Sequence, residues 1–285
     1  MSETVESLRH KIDSAAELGS VVRTMKALAA SSIAQYERAV ASLDEYYRAV
    51  ELGLVACLRS REAARVLGSG NLCAVVFGSD QGLAGQFNEV LADFVASKLE
   101  GESSEKHVLV IGERMQGYLE AYGMVRSFAV PNSISAITKA TGRILAALEA
   151  DGAGRVYVFH NRPEPGSVYE PVMQRLLPLD AAWQAGLAKK RWPTGNLPEV
   201  IGEGTLKALI SEYLFISLFR ACAESLASEN AARLNSMRRA EKNIDELLEV
   251  LNQDFHHLRQ TGIDEELFDV IAGYELLAGK ATAIL

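Results

Sequence analysis

The stretch FGSDQGLAGQFN, residues 77–88, has the residue types of a phosphate-binding turn. It follows the apolar run LCAVV and precedes a segment of helical character, so we expect a strand, a glycine-rich turn and a helix. Backbone N–H groups in such a turn and the positive end of the helix attract phosphate. Gly78, Gly82 and Gly85, however, form neither GxGxxG nor a P-loop. The spacing therefore favours a tight structural connection, with phosphate binding as the alternative.

Candidate acids, bases and nucleophiles lie near the ends of the predicted strands. They are Ser79, Asp80, Asn88, Glu113, Arg114 and His160. An aspartate in a glycine-containing turn readily accepts hydrogen bonds from backbone N–H groups, so we expect Asp80 to cap the turn rather than to bind a ribose. We expect His160 to be an exposed residue at a strand end rather than a general base. The sequence thus predicts no catalytic centre.

The cysteines and histidines do not have the spacing of a metal site. Cys57, Cys73 and Cys222 are far apart and include no CxxC pair, so we expect small buried apolar residues rather than a disulfide framework. His256 and His257 are adjacent on a predicted helix and point to different sides. We expect neither a metal nor a cofactor.

Composition and charge exclude several classes of function. The 285 residues are 48% hydrophobic and 23% charged, which is typical of a globular protein. The net charge of −8 provides no general attraction to nucleic acid. The longest apolar run, LFISLF, ends at Arg220, too short to insert into a membrane. The charged N-terminal stretch does not predict a signal peptide, so we expect a cytoplasmic protein.

The N-terminal residues have the heptad pattern of a long coiled-coil helix. Two apolar series, each with a period of seven residues, interleave from Val5 to Cys57, and only Gly19 and Lys26 interrupt them. We call these the seam positions. A continuous helix of this length would extend about 80 Å at a rise of ~1.5 Å per residue.

The C-terminal residues have a similar pattern. The residues at coiled-coil spacing are Met237, Ala240, Ile244, Leu247, Leu251 and Leu258. The simplest arrangement pairs the two ends of the chain as antiparallel helices, with another domain inserted between them.

The middle of the chain alternates apolar strand-like runs with helical stretches. The strand-like runs are 72–77, 107–112, 124–130, 155–160 and 168–179. This alternation predicts βαβ units and a mainly parallel sheet. We therefore predict an α/β fold class: a long antiparallel coiled coil of N- and C-terminal helices with an inserted Rossmann-like α/β domain. The predicted parts are a helix over 1–60, the α/β domain over 71–179, a linker over 180–204 and a helix over 205–285.

Polar residues occur where the coiled-coil seam should be apolar. Lys26 lies at a seam position beside Arg23 and Met25, and Arg259 and Gln260 follow an apolar stretch of the C-terminal helix. Such side chains commonly extend to water. The functional interpretation is that this part of the coiled coil contacts another protein.

Several motifs resemble the gamma subunit of the F-type ATP synthase, in chain order. Near the N-terminus a basic residue and Met25 precede Ala29-Ala30-Ser31, and SDQGLAGQFN resembles the glycine turn of that family. The segments ASENAARLNSMRRAEKN, residues 227–243, and LRQTGIDEELFDVIAG, residues 258–273, resemble its C-terminal signatures. LLPL, residues 176–179, also fits the family pattern.

The resemblance implies a non-catalytic central rotor subunit. Such a subunit turns inside a hexamer of alpha and beta subunits and couples ion flow, H⁺ or Na⁺, to ATP synthesis or hydrolysis. The implied partners are alpha, beta, epsilon and the membrane c-ring, with a peripheral location on the cytoplasmic face of the inner membrane. By residue match, the contacts with the hexamer would include Arg23, Met25, Lys26, Arg259, Gln260 and Glu266.

The chain departs from the family pattern in several places. His256 replaces an asparagine, Asp264 a threonine, and Ala84 and Gln86 a cysteine and a glycine of the turn. Residues 274–285 extend the C-terminal tip. These departures fit a divergent branch, such as an alternate ion-translocating ATPase.

Two other functions remain as alternatives at this stage. An α/β nucleotide-binding enzyme with dimerising helices would use the glycine turn. A homo-oligomeric coiled-coil scaffold would use the long helices alone.

Overall fold

The computed structural model describes residues 4–58, 70–100, 106–164, 167–179 and 202–282. The chain divides into two compact units. We call Met1–Ala27 with Met237–Leu285 the coiled-coil unit, and Leu28–Ser236 the α/β unit. The domain boundaries predicted from the sequence stay predictions, and residues 180–201 of the predicted linker lie outside the described residues.

The described residues form six α-helices and five strands. The helices are α1 Val5–Ser42, α2 Asp44–Leu58, α3 Phe87–Leu99, α4 Glu113–Leu119, α5 Ile134–Ala150 and α6 Gly202–Thr282. The strands are β1 Asn71–Phe77, β2 Lys106–Ile111, β3 Met124–Phe128, β4 Ala153–Glu164 and β5 Ser167–Leu177, and a short 3-10 helix covers Glu120–Tyr122. All five predicted strands are confirmed.

The α/β unit is built on one mixed sheet with the strand order β3-β2-β1-β4-β5. The β1–β2, β2–β3 and β1–β4 pairs are parallel, and β4 and β5 form an antiparallel pair. The chain moves from β1 to one side of the sheet through β2 and β3 and then returns to the other side of β1. The strand order therefore reverses between β1 and β4, as it does in Rossmann-like sheets.

Both faces of the sheet are covered, which explains why β1 reads as a continuous apolar run. On one face Leu72, Ala74 and Val76 pack in a cluster with residues of α3 and α4. On the other face Cys73, Val75 and Phe77 belong to a larger cluster with residues of α1, α2, α5 and α6. At about 25 cal/mol per Å² of apolar surface, this two-sided burial is the main stabilisation of the unit.

The long N-terminal helix is interrupted at Leu43, so the prediction of one continuous helix is wrong there. The backbone N–H of Leu43 bonds to Val40 O, one residue short of the helical partner. The hydroxyl of Ser42 donates to Ala39 O at 2.8 Å, and the next helix begins at Asp44. Short polar side chains offer the backbone such alternative bonds, which is why Ser and Asp mark the break.

The coiled-coil unit is an antiparallel pair of α1 and α6. Leu8 and Ala15 of α1 are buried in one cluster with Leu251 of α6, whereas Lys26 meets Glu241. Residue numbers thus rise along α1 as they fall along α6. The antiparallel coiled coil predicted from the heptads is confirmed.

One register detail of α6 differs from the prediction. Leu247 is 49% exposed, whereas Leu248 and Phe255 pack on the buried cluster. The seam of α6 therefore runs through Glu241, Leu248 and Phe255 in addition to Met237, Ile244, Leu251 and Leu258, rather than through Ala240 and Leu247. Both the predicted and the observed register have apolar residues seven positions apart, and packing against α1 selects between them.

Candidate functional site

The glycine turn after β1 is closed by side chains of the protein itself. Asn88 at the start of α3 accepts a hydrogen bond from Ser79 N at 3.0 Å and donates one to Ser79 Oγ at 2.8 Å. Gly78 is required because a Cβ there would lie 2.4 Å from the Cβ of Met115. The Ser79 N–H, which a phosphate would need, is thus already engaged by Asn88.

Asp80 closes the neighbouring strand ends in the same way. Its Oδ1 accepts a hydrogen bond from Glu113 N at 2.8 Å, in the first turn of α4, and its Oδ2 accepts one from Val130 N at 2.9 Å, after β3. The expectation that Asp80 accepts hydrogen bonds from backbone N–H groups is confirmed, but these groups belong to α4 and to the segment after β3 rather than to its own glycine turn. A carboxylate here occupies the position at a helix N-terminus that would otherwise attract an anion.

Helix α6 covers the crevice where the strand order reverses. Ser225 Oγ donates to Phe77 O at 3.0 Å, and Asn161 Nδ2 donates to Phe87 O at 3.0 Å. In doubly wound sheets this crevice is the usual ligand site. In this chain the same crevice anchors a helix.

His160 is buried, so the prediction of an exposed strand-end residue is wrong. The residue is 3% exposed, and its Nε2 lies 2.8 Å from Oε2 of Glu224 on α6. Strand β4 continues to Glu164 because the hairpin with β5 extends its pairing, and His160 lies opposite Val172. The burial of His160 could have been predicted only if β5 had been recognised as the antiparallel partner of β4.

The cysteines are free and buried, as predicted. Burial raises the pKa of the Cys73 thiol to about 11, and it also raises the pKa of Cys57 and of Cys222. A raised thiol pKa lowers the thiolate fraction and hence the reactivity at neutral pH. The three cysteines act as small core residues.

A buried ion pair lies beside the glycine turn on α6. Arg233 donates to Glu229 Oε1, and the two residues are only 8% and 5% exposed. Burial raises the pKa of the Glu229 carboxyl; the Arg233 guanidinium opposes this rise, and the Asp80 carboxylate adds to it. Burial therefore disfavours the charged form of Glu229, and the Arg233 guanidinium partly compensates for it.

The predicted contact residues on α1 differ in their surroundings. Arg23 is exposed and Met25 is half-buried. The Lys26 ammonium bonds to Glu241 Oε2 across the seam, and its side chain is 34% exposed. Only Arg23 of these three is fully accessible to a partner.

The predicted contact residues on α6 lie on an exposed segment. Arg259, Gln260 and Glu266 are all exposed. Among them, large apolar side chains are exposed by 45–70%: Ile263, Leu267, Phe268, Val270 and Ile271. Their helical spacing forms a broad apolar stripe on α6, and exposed apolar patches are typical of protein–protein interaction sites. The sequence analysis missed the stripe, although its 3-4 spacing was visible.

A second set of exposed apolar residues lies on one side of the coiled coil. Leu18 and Val21 of α1 are 60% and 55% exposed, and Leu247 and Val250 of α6 are 49% and 53% exposed. Successive residues are about 100° apart around a helix axis. Viewed from the N-terminus of its own helix, each pair is therefore rotated by roughly 70–140° from the seam, and the direction of rotation is the same for both helices. In an antiparallel pair, that offset brings both pairs to the same side. We call these four residues the apolar face.

The comparisons with known proteins agree on one family. A protein-family model described as ATP synthase matches residues 4–277. The ATP synthase gamma chain of Syntrophus aciditrophicus is 31% identical over 234 residues, covering 78% of this chain and 76% of the relative. That of Frankia casuarinae is 27% identical over 301 residues, covering 98% of this chain and 99% of the relative.

Solved structures share the fold. A chain in the rotor of the Euglena gracilis mitochondrial ATP synthase aligns with a TM-score of 0.64 at 15% identity, over 91% of this chain and 98% of that chain. A chain of the central stalk and c-ring structure of the Tetrahymena thermophila enzyme aligns with a TM-score of 0.57 at 22% identity, over 77% and 99%. The described part of this chain contains no helix that is both long and apolar enough to cross a membrane.

Proposed function

Because this chain belongs to the ATP synthase gamma-chain family and is a non-catalytic central-stalk subunit, we propose that it turns within a ring of alpha and beta subunits. In this proposal, rotation couples ion flow through a membrane c-ring to ATP synthesis or hydrolysis. The coiled-coil unit contacts alpha and beta, and the α/β unit contacts epsilon and the c-ring. The subunit is peripheral, on the cytoplasmic face of the inner membrane.

The observation that carries the proposal is the pair of exposed apolar surfaces on the coiled-coil unit. The apolar face and the stripe from Ile263 to Ile271 together leave nine large side chains open to solvent. Exposed apolar surface is costly for an isolated protein and is removed by a partner. Because the apolar face is on one side only, rotation would present it to each catalytic subunit in turn.

One-sided contact explains how a subunit without catalytic residues can govern catalysis. A partner that contacts the apolar face is stabilised in the conformation that fits the face, and one facing the opposite side is not. Rotation then moves this differential stabilisation from one catalytic site to the next, which is coupling carried by a rigid body.

We assign Arg23, Met25, Lys26, Arg259, Gln260 and Glu266 to the contact zone. Met25 borders the apolar face on α1, Arg23 lies on the opposite side of that helix, and the three α6 residues flank the exposed stripe. The substitution Met25→Lys adds a second ammonium beside Lys26 and is expected to impair ATP-driven ion pumping while the complex stays assembled. Unchanged pumping in an assembled complex would remove Met25 from the contact zone.

Native mass spectrometry tests the function as a whole. The tagged chain is expressed with the genes of its neighbouring operon, and the intact complex is weighed. One copy in an assembly with three alpha and three beta subunits is the expected result. A monomer or a homodimer would contradict it; thermal protection by nucleotide would then favour the nucleotide-binding enzyme, and a stable helical dimer the scaffold.

A further inference from the structure

We propose that Lys26 and Glu241 form a register pin, a charged pair that sets the axial alignment of α1 and α6 in the coiled-coil unit. Both residues occupy seam positions, where the neighbouring residues are apolar. The ammonium of Lys26 lies 2.5 Å from Oε2 of Glu241. The two side chains are 34% and 22% exposed, so both charges are partly withdrawn from water.

The rest of the seam has little power to define its own register. The seam residues of the buried cluster are apolar and recur at heptad spacing: Leu8, Ile12, Leu248, Leu251, Phe255 and Leu258. Gly19 adds no side chain, and a Cβ built there would lie in ordinary contact with Ile244 at 3.4 Å and with the Arg23 guanidinium at 3.5 Å. Within the coiled-coil unit, a slip of one heptad would set apolar residues against apolar residues again.

The charged pair distinguishes the registers. A one-heptad slip in one direction sets Lys26 against Leu248, and a slip in the other direction sets Glu241 against Gly19. Either slip leaves a partly desolvated charge without its counter-ion, which costs free energy that the aligned register avoids. A single polar residue at a seam position is known to define register in coiled coils in this way.

The pin has a consequence for coupling that rests on the proposed function. Arg23 and Met25 lie within one turn of Lys26, and Leu247 and Val250 lie about 1.7 and 2.5 turns along α6 from Glu241. The alignment of the two helices therefore decides whether the α1 and α6 parts of the apolar face lie side by side. Lys26 acts in this respect as a positioning residue.

A charge-swap cycle on the full-length chain tests the pin. The variants are Lys26→Glu, Glu241→Lys and the double swap Lys26→Glu/Glu241→Lys, compared by urea unfolding followed by circular dichroism. We expect each single reversal to raise the unfolding equilibrium constant about tenfold or more, because it creates a like-charged pair in the seam, and the double swap to recover most of that loss. If the double swap lowers the free energy of unfolding by the sum of the two single effects, the two charges do not interact and the pin is overturned.

The matched control is the Lys242–Glu246 pair on the surface of α6. Its charges are 3.5 Å apart and its side chains are 78% and 63% exposed. The corresponding double swap, Lys242→Glu/Glu246→Lys, and both single reversals should change the constant by less than about threefold, since exposed pairs contribute little. Effects at this pair as large as those at the seam would overturn the pin, because they would show a general response to charge.

ATP-driven pumping by the assembled complex separates the pin from the proposed function. Because Lys26 is also assigned to the contact zone, we expect pumping to fall in both single reversals and to stay reduced in the double swap while stability returns. If the double swap restores stability but not pumping, the pin stands and Lys26 has an additional contact with a partner. If stability is restored and no complex forms with any variant or with the parent, the proposed function fails and the pin still stands.

Discussion

At the scale of single residues, the main finding is that the ligand-like positions of the sheet are occupied by the chain itself. Asp80 and Asn88 bond to the backbone N–H groups that would otherwise face a phosphate. Ser225 brings α6 onto the end of β1. The sheet thus has a Rossmann-like strand order, but the crevice between β1 and β4 anchors α6 instead of binding a ligand.

Replacing the Asp80 carboxylate should destabilise the α/β unit. Asp80→Ala removes two charge-assisted hydrogen bonds and leaves the N–H groups of Glu113 and Val130 without this acceptor, at an expected cost of about 1–3 kcal/mol. Asp93→Ala, at an exposed position of α3, is the control and should change stability by less than ~0.5 kcal/mol. Urea unfolding measures both. Equal effects of the two substitutions would contradict the capping role.

The Glu229 carboxyl should impart a specific pH dependence. Its folded-state pKa is raised above the ordinary value of 4.5 by burial. The folded state therefore holds a proton that the unfolded state has lost over the interval above pH 4.5, and stability falls as pH rises through that interval. The stability of the parent relative to Glu229→Gln should thus decrease from about pH 4.5 upwards. Parallel stability curves for the two proteins would contradict this.

At the scale of elements, a helix in the coiled coil is defined by its partner as much as by its own pattern. α6 has apolar residues at two overlapping heptad registers, and α1 covers only one of them. Leu247, which belongs to the other register, and its neighbour Val250 remain exposed. One element thus serves folding with one stripe and assembly with the next.

Two leucines four residues apart on α6 should respond differently to truncation. Leu251→Ala removes a side chain that is 8% exposed and should cost about 2–4 kcal/mol. Leu247→Ala removes one that is 49% exposed and should cost less than ~1 kcal/mol. Thermal or urea unfolding of the full chain compares them. A larger cost at Leu247 would restore the register first predicted from the heptads.

At the scale of the whole molecule, membership of the gamma-chain family accounts for the apolar face and the exposed stripe, because an isolated chain would gain nothing from exposed apolar side chains. The coiled-coil unit leaves apolar residues open on one side, while the equivalent positions on the other side of α1 are small or charged, such as Ala16 and Arg23. This difference between the two sides is what a rotating subunit needs to favour one catalytic partner over another.

A carboxylate on the apolar face should therefore impair coupling. Val21→Glu replaces an exposed aliphatic side chain of the contact surface with a charge, and ATP-driven pumping is expected to fall about tenfold, ~1.4 kcal/mol of lost interaction. Ala16→Glu puts the same charge on the other side of α1 and serves as the control. Pumping by both assembled complexes is compared. A similar loss in the two variants would show that the contact is not one-sided.

Apolar periodicity and local motifs are properties of neighbouring residues. The amino-acid sequence therefore predicted the fold class, the five strands, the antiparallel pairing of the chain ends and the family. It also predicted that Asp80 accepts hydrogen bonds from backbone N–H groups and that the cysteines are buried. Only the tertiary structure decided the burial of His160, the register of α6 and the pairing of Lys26 with Glu241. Each of these depends on a partner far along the chain, and the free energy that selects one partner over another arises only when the elements pack.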